Sequence, residues 1–67
     1  MLDKKLILET ISKQLESMGY GPAKALQSDL NKLNDIIINS KQFPWNLVAE
    51  KLNMDRWRLY HWYFETF

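Results

Sequence analysis

Apolar side chains recur along this chain at intervals of three and four residues, the spacing at which they share one face of an α-helix. The first series is formed by Leu8, Ile11, Leu15 and Met18. This series predicts an amphipathic helix over residues 2–18. Gly19 follows directly and suits the left-handed cap that often ends a helix.

A second apolar series follows the connection Tyr20-Gly21-Pro22 and keeps the same period. Its members are Ala23, Leu26, Leu30, Leu33 and Ile37. It predicts one continuous helix from Pro22 to Asn39, since proline at the first helical position has no amide hydrogen to leave unpaired. The adjacent isoleucines at 36–38 would also suit a buried strand, but the leucines before them hold the helical period without a break, which favours the helix.

Two shorter helices joined by a turn are predicted for the rest of the chain. Pro44 opens the first of them, which runs to Leu52. Its buried face is expected to consist of Trp45, Val48, Ala49 and Leu52. Asn53 and Met54 form the turn, and Asp55 suits the N-cap of the last helix because its carboxylate can accept an amide hydrogen. In that last helix, one face is shared by Leu59, Trp62 and Tyr63.

These elements predict one all-α domain, a four-helix orthogonal bundle with a C-terminal helix-turn-helix unit. The helix over residues 2–18 is expected to buttress a trihelical unit over residues 22–67. A chain of 67 residues allows at most one domain. Because such a short chain buries only about 60% of its unfolded surface, its hydrophobic content of 46% is needed for the core.

Composition narrows the function classes. The chain has no cysteine, which excludes disulfides and thiolate metal sites. Its single histidine, His61, is accompanied by no second histidine and no neighbouring carboxylate pair that would support a metal or catalytic role. No glycine-rich phosphate loop, nucleophile motif or acid/base pair is present, so neither an enzyme nor a cofactor is predicted. No signal peptide is visible, and no apolar run approaches the ~20 residues of a membrane span. We therefore expect an intracellular protein without membrane contact.

The segment VAEKLNMDRWRLYHWYF resembles the second and third helices of homeodomain-like proteins. The resemblance rests on the apolar-alanine pair Val48-Ala49, on Leu52, and on Leu59 followed by the aromatic pair Trp62-Tyr63. The preceding WNLVAEKL is also similar to the second helix of Myb/SANT repeats, in which a tryptophan opens the helix. Most of the matched positions are core positions of a trihelical unit, and residues 1–21 lie outside the match.

The resemblance implies a DNA-binding module of a transcription-related protein, acting in the nucleus of a eukaryote or at the nucleoid of a bacterium. The last helix would then lie in the major groove of double-stranded DNA and present His61, Phe64 and Glu65 to the bases. Phosphate contacts would come from Lys51, Arg56 and Arg58. The alternative for the two arginines is a solvated surface with local pairing to Glu50 or Asp55, and the sequence leaves both open.

The charge distribution of the chain argues against DNA binding. Glu65 stands where homeodomains carry an adenine-binding asparagine, and a carboxylate can only accept hydrogen bonds. Thr66 and Phe67 stand where arginines would be expected. Residues 44–67 carry three basic and three acidic side chains, and the whole chain has a net charge of +1. Its pI of 8.0 lies below the value of about 9 that is typical of DNA-binding domains.

A protein-interaction or dimerisation module on the same scaffold is the second hypothesis. Trp57 and Phe64 lie about 200° around the last helix from its core face. One or both are therefore expected to be covered by the first helix or by a partner, or to be exposed for binding, and an exposed aromatic surface would mark an interface. The candidate contact residues are Trp57, Tyr60, Phe64 and Phe67. A homodimer could instead use the first helix, through Leu8, Ile11, Leu15 and Met18. That series spans under three heptads, which favours a helix that packs back on its own chain.

Overall fold

The computed structural model describes residues 3–40 and 43–66, and these residues form five α-helices and no strand. The helices are α1 (Lys4–Ser17), α2 (Ala23–Ser28), α3 (Leu30–Asn39), α4 (Trp45–Lys51) and α5 (Arg56–Thr66). The all-α prediction is confirmed. The predicted start of the first helix at Leu2 and the contact residue Phe67 lie outside the described residues.

Both ends of α1 are fixed by local hydrogen bonds. At its start, Asp3 Oδ1 accepts a hydrogen bond from the backbone N–H of Leu6 at 3.2 Å, which satisfies one of the unpaired amides of the first turn. At its end, Gly19 adopts a φ of 93°. The backbone N–H of Tyr20 then donates to the carbonyl of Leu15 at 3.0 Å, the bond that defines a Schellman cap. The predicted helix end at Gly19 is confirmed.

The single helix predicted from Pro22 to Asn39 is wrong, because the chain leaves helical geometry at Asp29. There φ and ψ are −129° and 84°, and the Asp29 carboxylate accepts the backbone N–H of Lys32 at 3.2 Å as the N-cap of α3. Aspartate favours such local bonds over a helix interior. The break raises the number of helices from the predicted four to five.

The start of α2 depends on a side chain from α1. Pro22 is the N-cap of this helix and not its first residue, and it has no side chain that could cap it. The carboxylate of Glu16 takes that role, since its Oε2 accepts the backbone N–H of Ala23 at 2.7 Å. The end of α1 and the start of α2 are thereby joined.

A second Schellman cap connects α4 to α5. Asn53 has a φ of 54°, and the backbone N–H of Met54 donates to the carbonyl of Ala49 at 2.9 Å. Asp55 then accepts the backbone N–H of Trp57 at 3.2 Å, so the predicted N-cap of the last helix is confirmed. This turn sets the direction in which α5 leaves α4.

The core draws on all five helices. Among the described residues the buried hydrophobic side chains are Ile7, Leu8, Ile11, Leu15, Leu26, Leu33, Ile37, Phe43, Val48, Ala49, Leu59 and Tyr63. Trp45, Leu52 and Trp62, which were also expected to be buried, pack against this cluster while remaining partly exposed. Tyr63 is fully buried, and its hydroxyl donates to Asn34 Oδ1 at 2.8 Å.

The stripe considered for a homodimer on α1 is covered by the chain itself, as the preferred alternative of a helix that packs back on its own chain predicts. Ile11 and Leu15 have no exposed area and Leu8 is buried, because this stripe packs on the other helices of the same chain. Met18 was wrongly assigned to the stripe: it is the C-cap residue of α1, where the chain turns away, and it is 38% exposed.

Candidate functional site

The outward surface of α5 divides into two strips of different chemistry. Leu59 and Tyr63 point into the core. One strip, here called the aromatic strip, consists of Trp57, Tyr60 and Phe64. The other, called the polar strip, consists of Arg58, His61 and Glu65. Within each strip the residues are three, four or seven positions apart, so they lie along one side of the helix.

The aromatic strip is exposed although its residues are large and apolar. The exposed fractions of Trp57, Tyr60 and Phe64 are 58%, 39% and 44%. Tyr60 and Phe64 contact each other with ring centroids 4.6 Å apart. Of the alternatives left open for Trp57 and Phe64, the structure shows exposure and not cover by the first helix, and Tyr60 between them is exposed as well.

Trp45 at the start of α4 extends this strip onto a second helix. Its ring centroid lies 5.7 Å from that of Tyr60 and 6.0 Å from that of Phe64. Phe43, in the segment before α4, stacks edge-on against Trp45 at 4.7 Å. We call Phe43, Trp45, Trp57, Tyr60 and Phe64 together the aromatic face.

Two open cavities flank the contact between Trp45 and Tyr60. The Trp57 cavity has a volume of about 310 Å³ and is lined by Phe43, Trp45, Asn46, Arg56, Trp57 and Tyr60. The Phe64 cavity has a volume of about 360 Å³ and shares Phe43, Trp45 and Tyr60 with the first. Its remaining walls are Ile37, Ile38, Ser40 and Phe64. Ile38 is 59% exposed, so α3 adds apolar surface beside the aromatic face.

Arg56 belongs with the aromatic face. Its guanidinium carbon lies 5.1 Å from the centroid of the Trp57 ring, within the range of a cation–π contact. The alternative considered for both arginines, pairing with Glu50 or Asp55, is not observed in residues 3–40 and 43–66. Arg56 therefore places a positive charge at the edge of the Trp57 cavity.

The polar strip carries half of the residues predicted to contact DNA. Arg58, His61 and Glu65 are all exposed. Arg58 lines a separate cavity together with Asp3 and Leu6 at the start of α1 and with residues of the α4–α5 turn. The strip has one full positive and one full negative charge, so its net charge is close to zero when His61 is neutral.

The other predicted DNA contacts lie elsewhere. Lys51 is on α4, and its Nζ donates to Gln14 Oε1 on α1 at 3.3 Å. Phe64 lies in the aromatic strip and Arg56 at its edge. The six predicted DNA contacts are thus divided among three surfaces. Sequence reasoning missed Phe43, Asn46 and Ile38 as members of a site and placed Trp45 in the core.

The described residues contain neither a candidate metal site nor a candidate membrane span. In the part of the chain that the structure describes, no group of three His, Asp or Glu side chains is arranged to hold a metal ion. No helix there combines the length and apolar character needed to cross a membrane. The chain matches no known protein family, no curated protein and no solved structure. Function is therefore inferred from the chain's own surfaces.

Proposed function

We propose that this chain is a non-enzymatic protein-interaction module and that the aromatic face is its binding surface. The observation that carries the proposal is the exposure of Trp57, Tyr60 and Phe64 in one contiguous strip beside Trp45. A core of buried side chains already exists without them. Contiguous exposed apolar surface on a small domain is typical of an interaction site.

The residue types of the face support this proposal. Tryptophan, tyrosine and arginine are the residues that most often dominate the binding energy of protein interfaces. The face contains two tryptophans and a tyrosine, and Arg56 at its edge is already held on the Trp57 ring. Its two cavities give a partner's side chains places to insert.

Peptide selection followed by point substitution tests the proposal. Peptides selected from a random displayed library on the folded chain should bind the aromatic face. Trp57→Ala and Phe64→Ala should each weaken their binding by about 2 kcal/mol or more, and both should leave the helical circular dichroism unchanged because the side chains are exposed.

Leu47→Ala is the matched control. Leu47 is 45% exposed on α4 and lines neither cavity of the aromatic face, so its truncation should leave peptide affinity unchanged. Selected peptides that bind the Trp57 and Phe64 variants as tightly as the parent chain would refute the proposal.

DNA binding is the second candidate function, and the exposed pair Arg58 and His61 on the polar strip favours it. In this proposal α4 and α5 act as the helix-turn-helix of a homeodomain-like orthogonal bundle, with α5 in the major groove of DNA in the nucleus or nucleoid. Arg58 would contact phosphate, and His61 and Glu65 would face the bases. The near-neutral strip predicts weak binding with a shallow salt dependence, because few counterions are released.

Two substitutions on the polar strip test DNA binding. Fluorescence anisotropy with pooled duplex DNA at low salt should show weaker binding for Arg58→Glu. It should show tighter binding for Glu65→Asn, since that change removes repulsion from phosphates and restores a bidentate partner for adenine. Equal affinity of both variants and the parent chain would rule out groove reading by α5, and neither substitution touches the aromatic strip.

A further inference from the structure

The aromatic face is rich in hydrogen-bond donors and poor in acceptors. The indoles of Trp45 and Trp57 and the guanidinium of Arg56 can only donate, whereas Asn46 and Tyr60 can do both. Among the described residues, none of the three donor-only side chains donates a hydrogen bond within the chain. No carboxylate lines either cavity in the described part of the chain. A complementary ligand must therefore offer acceptors and few donors.

Proline-rich chain in the polyproline II conformation has this character. Each proline keeps its carbonyl oxygen and has no backbone N–H, and the polyproline II helix makes no internal hydrogen bonds, so its carbonyls stay free. Its rings pack well on aromatic side chains, which is the basis of proline-rich recognition in aromatic-lined grooves. We infer that the aromatic face binds an extended proline-rich segment of a partner protein that carries a carboxylate beside Arg56. This inference rests on the proposed interaction function and names its partner class.

The spacing of Trp57 and Phe64, each of which lines one of the two cavities, fits such a segment. Trp57 and Phe64 are seven residues apart on α5, a rise of about 10.5 Å. Three residues of polyproline II span about 9.3 Å. Two prolines three positions apart can therefore occupy the Trp57 cavity and the Phe64 cavity together. Between them the segment crosses the ridge of Trp45 and Tyr60, whose centroids are 5.7 Å apart.

The position of Arg56 sets the charge and the direction of the ligand. Its guanidinium lies at the Trp57 end of the face, 5.1 Å from that ring. A glutamate or aspartate next to the proline in the Trp57 cavity would pair with it through a charge-assisted hydrogen bond. At the Phe64 end, none of the described residues that line the cavity carries a charge.

Other occupants fit the same surface less well. A quaternary ammonium or methyl-lysine ligand needs an electron-rich aromatic cage, but here Arg56 already lies on Trp57 and no carboxylate balances a second cation. A second copy of the chain, paired by two-fold symmetry, would set the same donor-rich patch against itself. The described lining of that face offers no carboxylate with which Arg56 of either copy could pair.

A peptide titration with matched charge reversals tests this inference. The probe is a synthetic peptide with a glutamate directly before the first of two prolines three positions apart. It is added to ¹⁵N-labelled chain. The indole resonances of Trp45 and Trp57 and the amides of Tyr60 and Phe64 should shift, whereas the indole of Trp62, which packs on the core, should not. A peptide of the same composition with shuffled order should bind about tenfold more weakly or not at all.

The variants Arg56→Glu and Arg58→Glu make the same charge change at positions two residues apart on α5. Arg56 lies at the edge of the aromatic face, whereas Arg58 belongs to the polar strip. Arg56→Glu should weaken the peptide by about tenfold or more, and Arg58→Glu by less than about twofold. Replacing the peptide's glutamate by lysine should reproduce the loss on the parent chain and reverse it on the Arg56→Glu variant.

Three results would overturn the inference. Equal binding of the ordered and shuffled peptides would show that polyproline geometry is not recognised. Equal losses for the two arginine variants would remove the carboxylate contact. Concentration-dependent shifts of Trp57 and Phe64 without any peptide would identify a second copy as the occupant. The proposed interaction function is tested separately by the library-selected peptides. It remains supported if their binding requires Trp57, and it is refuted if their binding does not.

Discussion

Asn53 holds the turn between α4 and α5 in the left-handed backbone region, with a φ of 54°. Glycine adopts this conformation freely and asparagine tolerates it, whereas a β-carbon without a polar group costs about 1 kcal/mol or more there. We expect Asn53→Ala to lower the free energy of unfolding by about 1 kcal/mol and Asn53→Gly to leave it unchanged or raise it. Urea denaturation followed by circular dichroism measures both.

Asn46→Ala controls for the loss of an asparagine side chain. Asn46 is exposed in the first turn of α4 and alanine is the better helix former, so this variant should be as stable as the parent chain or more stable. Equal destabilisation at Asn46 and Asn53 would contradict the backbone explanation.

Because of the Tyr63 hydroxyl, we expect the free energy of unfolding to change with pH in the alkaline range. Burial raises the pKa of Tyr63 from 10.0 to about 12, and the protonated hydroxyl donates to Asn34. The folded state thus keeps a proton that the unfolded state loses, so the stabilisation is complete below pH 10 and is lost as the pH rises through 12. Between these values the free energy of unfolding should fall by about 2 to 3 kcal/mol.

Tyr63→Phe isolates this effect. The variant should be less stable than the parent chain at neutral pH, because Asn34 loses its donor, but its stability should fall less between pH 10 and pH 12. Tyr20→Phe, at a tyrosine that is 42% exposed, should keep the parent pH profile in urea titrations. A parent-like alkaline loss in Tyr63→Phe would assign the effect to other groups.

At the scale of the elements, the break at Asp29 makes a prediction of its own. Asp29→Ala removes the carboxylate that caps α3 at the N–H of Lys32, and we expect it to lower the free energy of unfolding by about 1 kcal/mol. Asp35→Ala changes the same residue type at an exposed position inside α3 and should be neutral or stabilising. If Asp29→Ala were the more stable variant in urea, the chain would gain more from one continuous helix than from the cap.

Local chemistry explains which helix ends could be predicted. Gly19 and Asp55 were identified because their residue types suit a left-handed cap and an N-cap, and both form the expected bonds. The break at Asp29 was missed because Leu26, Leu30 and Leu33 keep four- and three-residue spacing across it. The spacing of apolar residues indicates which side chains face the core. It does not reveal a single non-helical residue between two helices.

The aromatic face was predictable only in part for a related reason. The outward position of Trp57 and Phe64 follows from the helical period of α5 once Leu59 and Tyr63 are assigned to the core. The contribution of Trp45 does not follow from this period, because it depends on the angle at which α4 packs across α5. That angle cannot be deduced from the residue spacing within one helix. The same packing divides Arg56 from Arg58, two residues apart in sequence, between surfaces of different chemistry.

At the scale of the whole molecule, the interaction face depends on helices that contribute nothing to it directly. Trp45 and Tyr60 lie on α4 and α5, which are anchored in the core by the fully buried side chains of Val48 and Leu59. The first helix, α1, packs against both α2 and α4. Lys51 and Gln14 add a hydrogen bond between α4 and α1. We therefore expect the face to require the N-terminal helix.

Removal of the N-terminal helix tests that requirement. The helix supplies Ile7, Leu8, Ile11 and Leu15, one third of the buried hydrophobic side chains in the described residues, together with the Glu16 carboxylate that caps α2. A fragment of residues 22–67 falls close to the size of about 40 residues below which domains rarely fold unaided. We expect it to lose cooperative urea unfolding and amide dispersion.

Adding a synthetic peptide of residues 1–21 in excess should restore both signals, because it returns the missing core surface. The same peptide with Ile11 and Leu15 replaced by serine should not restore them, since both side chains are fully buried. A fragment of residues 22–67 that unfolds cooperatively by itself would instead show that α2 to α5 form an independent unit. The experiment thus decides whether this chain is one five-helix domain or a four-helix unit with an attached N-terminal helix.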